Sequence, residues 1–488
     1  MKHIVVIGGG VGGVSAASRL AARGFSVDLF EAGPRTGGKM NVVEFDGCLF
    51  DTGPTLLTMP FVLDDFFREM KSSLASELNL RAVDPACRYL WSDGTSMDIP
   101  FDVNQIPDAI ATISEHDGVA FTSWINHAKE VYDLTKDTFI FAPFDGFGEF
   151  FKRRNLPLLP HIHRLRTLTS FHRHNSSYFH DRRILQFADR FATYNGSNPY
   201  EAPATLMVIP WVEFGFGAWY PQGGMARVAE AMTSAGQRHG LRVHTSTAVR
   251  KIVVTGQKVR GVELADGSFV AADHVISNVD VTTTRRDLVG ESIRPPRTPS
   301  LAGFVILASV DGTHDLPHHT VLFSDDYQKE FHQLFTQRTY ADDPTIYISR
   351  SCVTDSALAP EGRENWFILV NAPALPTTSE PLTDPHFAER YGERIFARLR
   401  QAGLKVNIRS VRYRTAVDME REWNSPYGSL YGAASNSPLS AFLRPRQQST
   451  RLSNLWYVGG SAHPGGGIPL VTVSGGLAAD LITSMELS

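Results

Sequence analysis

Ile4-Val5-Val6-Ile7-Gly8-Gly9-Gly10-Val11-Gly12-Gly13 decides the fold: four apolar residues, then five glycines in six positions. The β-branched run reads as a buried strand. The G-x-G-x-x-G spacing of Gly8, Gly10 and Gly13 predicts a tight turn from that strand into a helix. Gly8 makes the turn, Gly10 lets the backbone approach a pyrophosphate, and Gly13 lets the helix pack close to the sheet. The start of the helix offers free N–H groups to phosphate.

Working outward, Ala16, Ala17, Leu20 and Ala21 give that helix an apolar face, and Gly24 is placed to end it. Ser26-Val27-Asp28-Leu29-Phe30 reads as the second strand, closed by Glu31 eighteen residues after Gly13. A carboxylate there accepts hydrogen bonds from a ribose 2′-OH and repels a 2′-phosphate, which disfavours NADP. The chain continues through Ala32-Gly33-Pro34-Arg35-Thr36-Gly37-Gly38-Lys39 and later Phe50-Asp51-Thr52-Gly53-Pro54-Thr55. A nicotinamide site has no use for a second glycine pair and a basic residue beyond the ribose carboxylate. Near the C-terminus a strand at Leu455-Trp456-Tyr457-Val458 leads into Gly459-Gly460-Ser461-Ala462-His463-Pro464-Gly465-Gly466-Gly467-Ile468-Pro469, then a helix from about Thr472 to Ile482. So many glycines suit close backbone approach to something flat.

The Arg35-x-Gly37-Gly38-Lys39 element, the Asp51-x-Gly53-Pro54 element and the Gly459 to Pro469 loop resemble the bacterial carotenoid desaturases, flavoproteins of the phytoene desaturase type. The likeness runs from Lys2 to about Asp480. It implies an α/β fold: a Rossmann-like FAD-binding domain of the flavin amine oxidase and phytoene desaturase type, an inserted mixed α+β substrate domain, and a helical membrane-facing part. It implies FAD held by Gly8, Gly10, Gly13, Glu31, Ala32, Arg35, Gly37, Gly38, Lys39, Gly53, Pro54, Thr55, Val249, Gly460, Ser461, Ile468 and Pro469. The substrate implied is a C40 or C30 polyene that enters an apolar tunnel from a membrane. Desaturation in carotenoid biosynthesis would move a hydride to the flavin and a proton off the adjacent carbon, with a quinone or oxygen as the final electron acceptor.

The stretches Phe50 to Pro60 and Tyr194 to Pro203 resemble the branch acting at the 3,4 position of hydroxylated or methoxylated neurosporene-type carotenoids more than the branch that starts from phytoene. Alternatives with the same fold and cofactor are a carotenoid oxygenase or isomerase. An amine oxidase and a non-catalytic prenyl-binding protein stand further off. The intact phosphate-loop glycines and Glu31 argue against the last.

A chain of 488 residues, 42% hydrophobic and 20% charged, buries a large core and should divide into two or three domains. A net charge of −4 gives no reason to expect nucleic acid. Cys48, Cys87 and Cys352 lie far apart, so neither zinc nor a disulfide framework is suggested and no metal is expected. Thiols without partners point to a reducing compartment. Met1-Lys2-His3 runs straight into the first strand with no room for a signal peptide, and no stretch reads as the roughly 18–20 apolar residues that cross a bilayer. The expectation is a cytoplasmic protein, peripherally associated with the inner membrane.

The chain leaves the nucleotide domain and returns twice, predicting a discontinuous FAD-binding domain at 1–95, 216–290 and 446–488, and a substrate domain at 96–215 and 291–445. In the first return, Leu241 to Thr245 reads as a strand, Val249 to Val254 and Val259 to Val270 as a hairpin with Asp266-Gly267 as its turn, and Ala272 to Asn278 as a buried strand. Phe139, Phe141, Phe144, Phe147, Phe150 and Phe151 crowd into thirteen residues. They would line a greasy channel, dip into lipid, or form an aromatic core patch. The next stretch carries Lys152, Arg153, Arg154, Arg164, Arg166, Arg173, Arg182 and Arg183 against Asp181, a basic collar suited to an anionic membrane surface. The membrane-associating region is therefore placed near 139–183.

Trp211, Phe214, Phe216, Trp219 and Tyr220 supply walls that stack on a polyene, while Tyr194, Asn195 and Glu201 serve either the site or local turns. No triad or metal constellation stands out, as expected where the cofactor supplies the chemistry. His463 is a candidate proton acceptor, or else shapes its loop; no catalytic base is assigned.

Overall fold

His3–Ile7 is the central strand of a five-stranded parallel sheet, flanked by Ser26–Phe30 and Arg242–His244 on one side and by His274–Ser277 and Leu455–Tyr457 on the other. The computed structural model describes residues 1–144, 146, 148, 149, 152–293, 298–376, 384–434, 436 and 444–487, without the side chains of 153, 154 and 156–159. A parallel sheet covered on both faces needs strands apolar on both sides, which is why Ile4, Val5, Val6 and Ile7 are all buried. Val11–Ala22 lies on one face and packs so tightly against Ile468–Leu487 that a Cβ on Gly475 would sit 2.5 Å from the Gly12 carbonyl. Ser15 Oγ donates to the Thr472 carbonyl at 2.7 Å across the same seam.

Ile468–Leu487 corrects the expectation that no segment is long enough to cross a membrane: with 20 residues and a mean hydropathy of 1.4 it is, by length and composition. Its serines and glycines break up the apolar run, and half of its most apolar stretch is buried inside the protein.

The other face is covered by an antiparallel meander of Val249–Thr255, Lys258–Leu264 and Phe269–Ala271. The expected two-stranded hairpin is thus three strands. Asp266-Gly267 turns between the second and third, where Leu264 N–H donates to the Ser268 carbonyl at 2.9 Å, and Gly256 makes the first turn at φ +63°.

The second unit is a seven-stranded sheet in the order Ile408–Arg414, Ala302–Asp311, Arg363–Ala372, Ile346–Ser349, His319–Leu322, Cys87–Leu90 and Ser96–Ile99. Cys87–Leu90 precedes the boundary expected at 95, yet it pairs in parallel with His319–Leu322 of this sheet. Strand alternation splits the sheet's contacts. Phe304, Ile306, Ile348 and Trp366 pack with Ile395, Phe396 and Leu399 of the Phe387–Gln401 helix. Val305, Leu307 and Phe367 face Cys48 and Phe50 of the Val42–Phe45 and Cys48–Asp51 hairpin, while Tyr89 and Val321 join a core with Glu115–Thr135, Arg182–Asp189 and Val208–Phe216. The second sheet thus stands over the C-terminal hairpin of the first glycine region.

Candidate functional site

The parallel sheet reverses its order between His3–Ile7 and His274–Ser277, and the crevice beyond the carboxyl ends of two such strands is where open α/β sheets bind ligands. Gly8, at φ +89°, turns the chain and its N–H donates to the Phe30 carbonyl at 2.8 Å. Gly10 is the N-cap of Val11–Ala22, and a Cβ on Gly13 would lie 2.2 Å from the Gly8 carbonyl, so helix and turn touch through bare backbone. The second glycine pair folds back onto the first. Gly37 N–H donates to the Gly9 carbonyl at 2.8 Å, and a Cβ on Gly38 would approach Gly10 Cα to 3.2 Å.

Glu31 Oε2 accepts the Gly9 N–H and Oε1 the Gly33 N–H, each at 2.7 Å. Each oxygen retains a lone pair for a ribose hydroxyl. Ala32 and Arg35 are exposed just beyond it. Val249 begins its strand two residues after Thr247, whose N–H donates to the Glu31 carbonyl at 2.8 Å, so this segment runs along the same end of the crevice.

Asn278, unremarked in the sequence except as a polar strand end, sits at the centre. A Cβ on Gly10 would come within 2.5 Å of its Nδ2, and Cβ atoms on Gly12 and Gly459 within 2.8 and 2.6 Å of its Oδ1. That buried Oδ1 has no hydrogen-bond partner among the described residues. The signal for it was topological: the first polar side chain beyond a buried strand at the switch point.

The inner end of the crevice is lined by Lys39, Tyr431 and Arg444. All three are half-buried. Lys39 Nζ donates to the Leu430 carbonyl at 2.8 Å, and burial draws its pKa down to about 8 against the pull of Asp280. Arg444 donates to the carbonyls of Tyr431 at 3.0 Å and Gly460 at 2.9 Å and to Asn195 Oδ1 at 2.9 Å. Ser461 Oγ accepts the Val281 N–H at 3.0 Å, and Ile468 and Pro469 open the last helix as buried residues. Gly53 abuts Lys39, its would-be Cβ 2.2 Å from the Lys39 carbonyl, and Pro54 is half-buried beside it. Thr55 Oγ1 lies 2.5 Å from the Tyr347 hydroxyl and ties this loop to the large sheet.

Side-chain-free walls, an unsatisfied amide oxygen, two interior cations and an acid placed for a ribose fit a flavin dinucleotide extended through the crevice. Asp51, which opens the Gly53-Pro54-Thr55 loop, is held by Tyr220 OH at 2.6 Å and Met225 N–H at 2.8 Å, and burial pushes its pKa up to about 6.

His463 is buried with Nε2 2.9 Å from the Ala142 carbonyl, an acceptor only, so that nitrogen carries its proton and donates. Its carbonyl accepts from Gln447 Nε2 and Ser474 Oγ, both at 2.7 Å. The loop-shaping role is the one this geometry serves. Phe139 and Phe144 turn inward, 4.7 Å apart, with Phe144 against the His463 ring at 6.0 Å; Phe147, Phe150 and Phe151 lie outside the described residues.

The basic collar is less naked than the sequence implies. Lys152 pairs with its near neighbour Glu149, while folding brings Glu130 to Arg164 and Asp93 to Arg182 and Arg183. The Arg153 and Arg154 side chains lie outside the described residues. Leu168, 91% exposed, and Ile162, 38% exposed, stand among these cations. Glu201 accepts from Asn198 Nδ2 at 3.1 Å, a turn contact. His116, Asp117 and His180 bring ligand atoms within 4.8 Å of one another, but Asp117 already accepts the His180 and Asp181 N–H groups and the two imidazoles stack in parallel 4.1 Å apart. Stacked rings cannot aim their lone pairs at one ion.

Residues 11–483 match the family of flavin containing amine oxidoreductases. Over 491 residues the chain is 32% identical to a 1-hydroxycarotenoid 3,4-desaturase of Flavobacterium sp. (strain P99-3), covering 99% of each. It is 31% identical to a 4,4'-diaponeurosporene oxygenase of Staphylococcus haemolyticus and 32% identical to a 4,4'-diapolycopene oxygenase of Methylomonas sp, covering 99% of this chain and 98% of theirs. Among solved structures, an oxidoreductase from Methanosarcina mazei superposes with a TM-score of 0.64 at 19% identity, covering 99% of this chain and 100% of that one. Cyclohexylamine oxidase from Brevibacterium oxydans superposes at 0.61 and 14%, covering 99% of both. At those identities the structural matches speak for the fold alone.

Proposed function

The chain belongs to the flavin containing amine oxidoreductases, in the bacterial carotenoid desaturase and oxygenase branch, and we propose that it uses FAD to oxidise a linear carotenoid near one end of its polyene. The observation that carries this reading is end-to-end similarity to enzymes named as a carotenoid 3,4-desaturase and as diaponeurosporene and diapolycopene oxygenases, combined with an intact glycine-walled crevice. Oxygen insertion takes precedence over simple desaturation, because relatives named as oxygenases recur, from Staphylococcus and from Methylomonas, at 31–32% identity over 99% of the chain. The 3,4-desaturase remains the second reading, favoured by the 32% identity over 491 residues.

In this reading Gly8, Gly10, Gly13, Gly37, Gly38 and Gly53 admit the dinucleotide, Glu31 takes the ribose, and Ala32, Arg35 and Val249 bound the adenosine end. Lys39, Pro54, Thr55, Gly460, Ser461, Ile468 and Pro469 surround the reactive end. Bound there, FAD would mediate the redox chemistry: for oxygen insertion O₂ would supply the inserted atom while an external two-electron donor reduces its other oxygen to water, and for desaturation two electrons would pass from the C–H bonds to oxygen or a quinone. The chain's part is to hold a C–H bond in place and keep water out, which the buried aromatics Phe187, Phe191 and Phe214 serve.

The FAD-loaded protein on liposomes, given neurosporene, lycopene, 1-hydroxyneurosporene and diaponeurosporene, should form a product carrying label from ¹⁸O₂. Loss of two hydrogens without label would move the assignment to desaturation, and no product from any of them would refute the carotenoid reading. Membrane contact is proposed at the Leu168 face. Leu168→Asp with Arg166→Gln and Arg173→Gln should lower partitioning onto anionic vesicles by about thirtyfold or more, from roughly 1 kcal/mol for each of the two cations lost near the surface. Unchanged partitioning would remove that face from the membrane.

A further inference from the structure

Lys39 and Arg444 stand where the cofactor crevice meets the second unit, and among the described residues neither is ion-paired. Arg444 reaches in three directions. Its Nη1 donates to the carbonyls of Gly460, in the C-terminal glycine loop, at 2.9 Å and of Tyr431 at 3.0 Å, and its Nη2 to Asn195 Oδ1, at the end of the Arg190–Asn195 turn, at 2.9 Å. The glycine loop closes directly over this group: a Cβ on Gly465 would lie 3.2 Å from Arg444 Nε, and one on Gly466 2.8 Å from the Tyr431 ring. Lys39 follows the Gly37-Gly38 pair, donates to the Leu430 carbonyl at 2.8 Å and lies 5.5 Å from the centre of the Trp423 ring.

Asp280 is the one acid that pulls on both cations, and its Oδ1 is taken by the Thr282 and Thr283 N–H groups. Burial outweighs that pull, drawing Lys39 down to about 8 and Arg444 to about 10. A cation crowded by protein without a counter-charge is held at a cost that an arriving anion offsets. Donors are left over to meet one: Lys39 uses one of its three N–H groups and Arg444 three of its five. The pyrophosphate has its own seat at the glycine turn and the start of Val11–Ala22. The two cations lie instead on the seam, since Leu430 and Tyr431 follow the Ala416–Trp423 helix of the second unit and Asn195 belongs to the substrate side.

We propose that Lys39 and Arg444 set the oxidising strength of the bound flavin by holding the negative charge that its ring gains on two-electron reduction. The inference rests on the FAD reading above and holds for oxygen insertion and desaturation alike. Whether the electrons come from substrate C–H bonds or from an external donor, two electrons and one proton turn a neutral ring into one with a single negative charge. Fixed cations with N–H groups to spare favour that form over the neutral one, and in a partly buried site a charge pair a few ångströms apart shifts such a balance by about tenfold or more. The couple moves upward, and the cofactor draws electrons more readily from a hydrocarbon, a poor donor.

The test needs no substrate. The FAD-loaded protein is reduced without oxygen alongside a reference dye of known potential, which gives the reduction potential of the bound flavin. Arg444→Met and Lys39→Met should each weaken the preference for reduced over oxidised cofactor by about tenfold, a fall of about 30 mV for a two-electron couple. Arg444→Lys keeps the charge but not the three-way hydrogen bonding, so its potential should stay near that of the wild type; a guanidinium that merely braced the loops would leave Arg444→Lys as impaired as Arg444→Met. A potential unshifted or raised in both Met variants would overturn the inference and leave the FAD reading standing, whether flavin binding is unchanged or weakened equally in both oxidation states. Equal weakening would mean that the cations hold the phosphates. Should Arg444→Met purify without flavin, the potential of Lys39→Met decides alone. A wild-type protein that retains no flavin would overturn both the inference and the FAD reading.

Discussion

The glycine crevice is joined by one hydrogen bond, Thr55 to Tyr347, to a polar knot beneath the large sheet, yet the two are built by opposite means. The crevice is made by omission: positions where a Cβ would strike backbone or Asn278. The knot is made by addition. Arg190 donates to the hydroxyls of Tyr194 at 2.8 Å and Tyr89 at 3.2 Å and lies over the Tyr347 ring, with Glu213 hydrogen-bonded to Tyr194 and His319 to Tyr347, all from five separate elements. Absent side chains must be consecutive to shape a turn, so they leave a local sequence trace. Groups that meet only after folding leave none.

The largest expected effect breaks the crevice. In Gly13→Ala the new methyl must occupy a point 2.2 Å from the Gly8 carbonyl, and neither strand nor helix can yield without separating. Overpacking of this kind costs about 1–3 kcal/mol or more, and it falls on the cofactor's own turn. Purified protein should carry less than about a tenth of the wild-type flavin. Normal flavin occupancy would show that the crevice is not the cofactor site.

Gly10→Ala sharpens the cause. Its methyl would meet Asn278 Nδ2 at 2.5 Å, the end of a side chain and not backbone. If Asn278 is the obstacle, adding Asn278→Ala should restore flavin content several-fold; if the double variant stays empty, the cofactor itself needs the space at Gly10. The same reasoning shows what was legible. Gly8, Gly10, Gly13, Glu31 and the Gly37-Gly38 pair could be read from spacing, and the Ser26–Phe30 strand was expected with its observed bounds. Asn278 and Arg444 could not, because their partners lie far along the chain. The three-stranded meander was misread for a related reason: alternation continues through Lys258–Leu264 and Phe269–Ala271, so only the turn between them marks the break. The basic collar was overestimated because Glu130 and Asp93, which answer Arg164 and Arg183, lie outside its stretch.

Lys39 gives the crevice a pH signature the knot should lack. Burial places its pKa near 8 in the flavin-free protein, and the negative phosphates of a bound dinucleotide would raise it. Binding above pH 8 therefore takes up a proton, so affinity weakens as pH rises, by up to about tenfold per unit until the bound-state pKa is reached. Below pH 8 the lysine is charged in both states and the slope vanishes. Flavin dissociation constants from pH 7 to 10 should show this break, and Lys39→Met should flatten it; a break that persists in that variant belongs to another group.

The smallest effect is expected where the two regions meet. Tyr347→Phe keeps the ring under Arg190 but removes the hydroxyl shared by Thr55 and His319 Nδ1. Thr55 Oγ1 and His319 Nδ1 each lose one hydrogen-bond partner. The cost should be about 1 kcal/mol per bond, read as a modest fall in the urea midpoint. Flavin occupancy should hold, because no atom of the glycine walls is touched. Loss of flavin in Tyr347→Phe would mean that the hydrogen bond carries the cofactor loop, and that crevice and knot are one site.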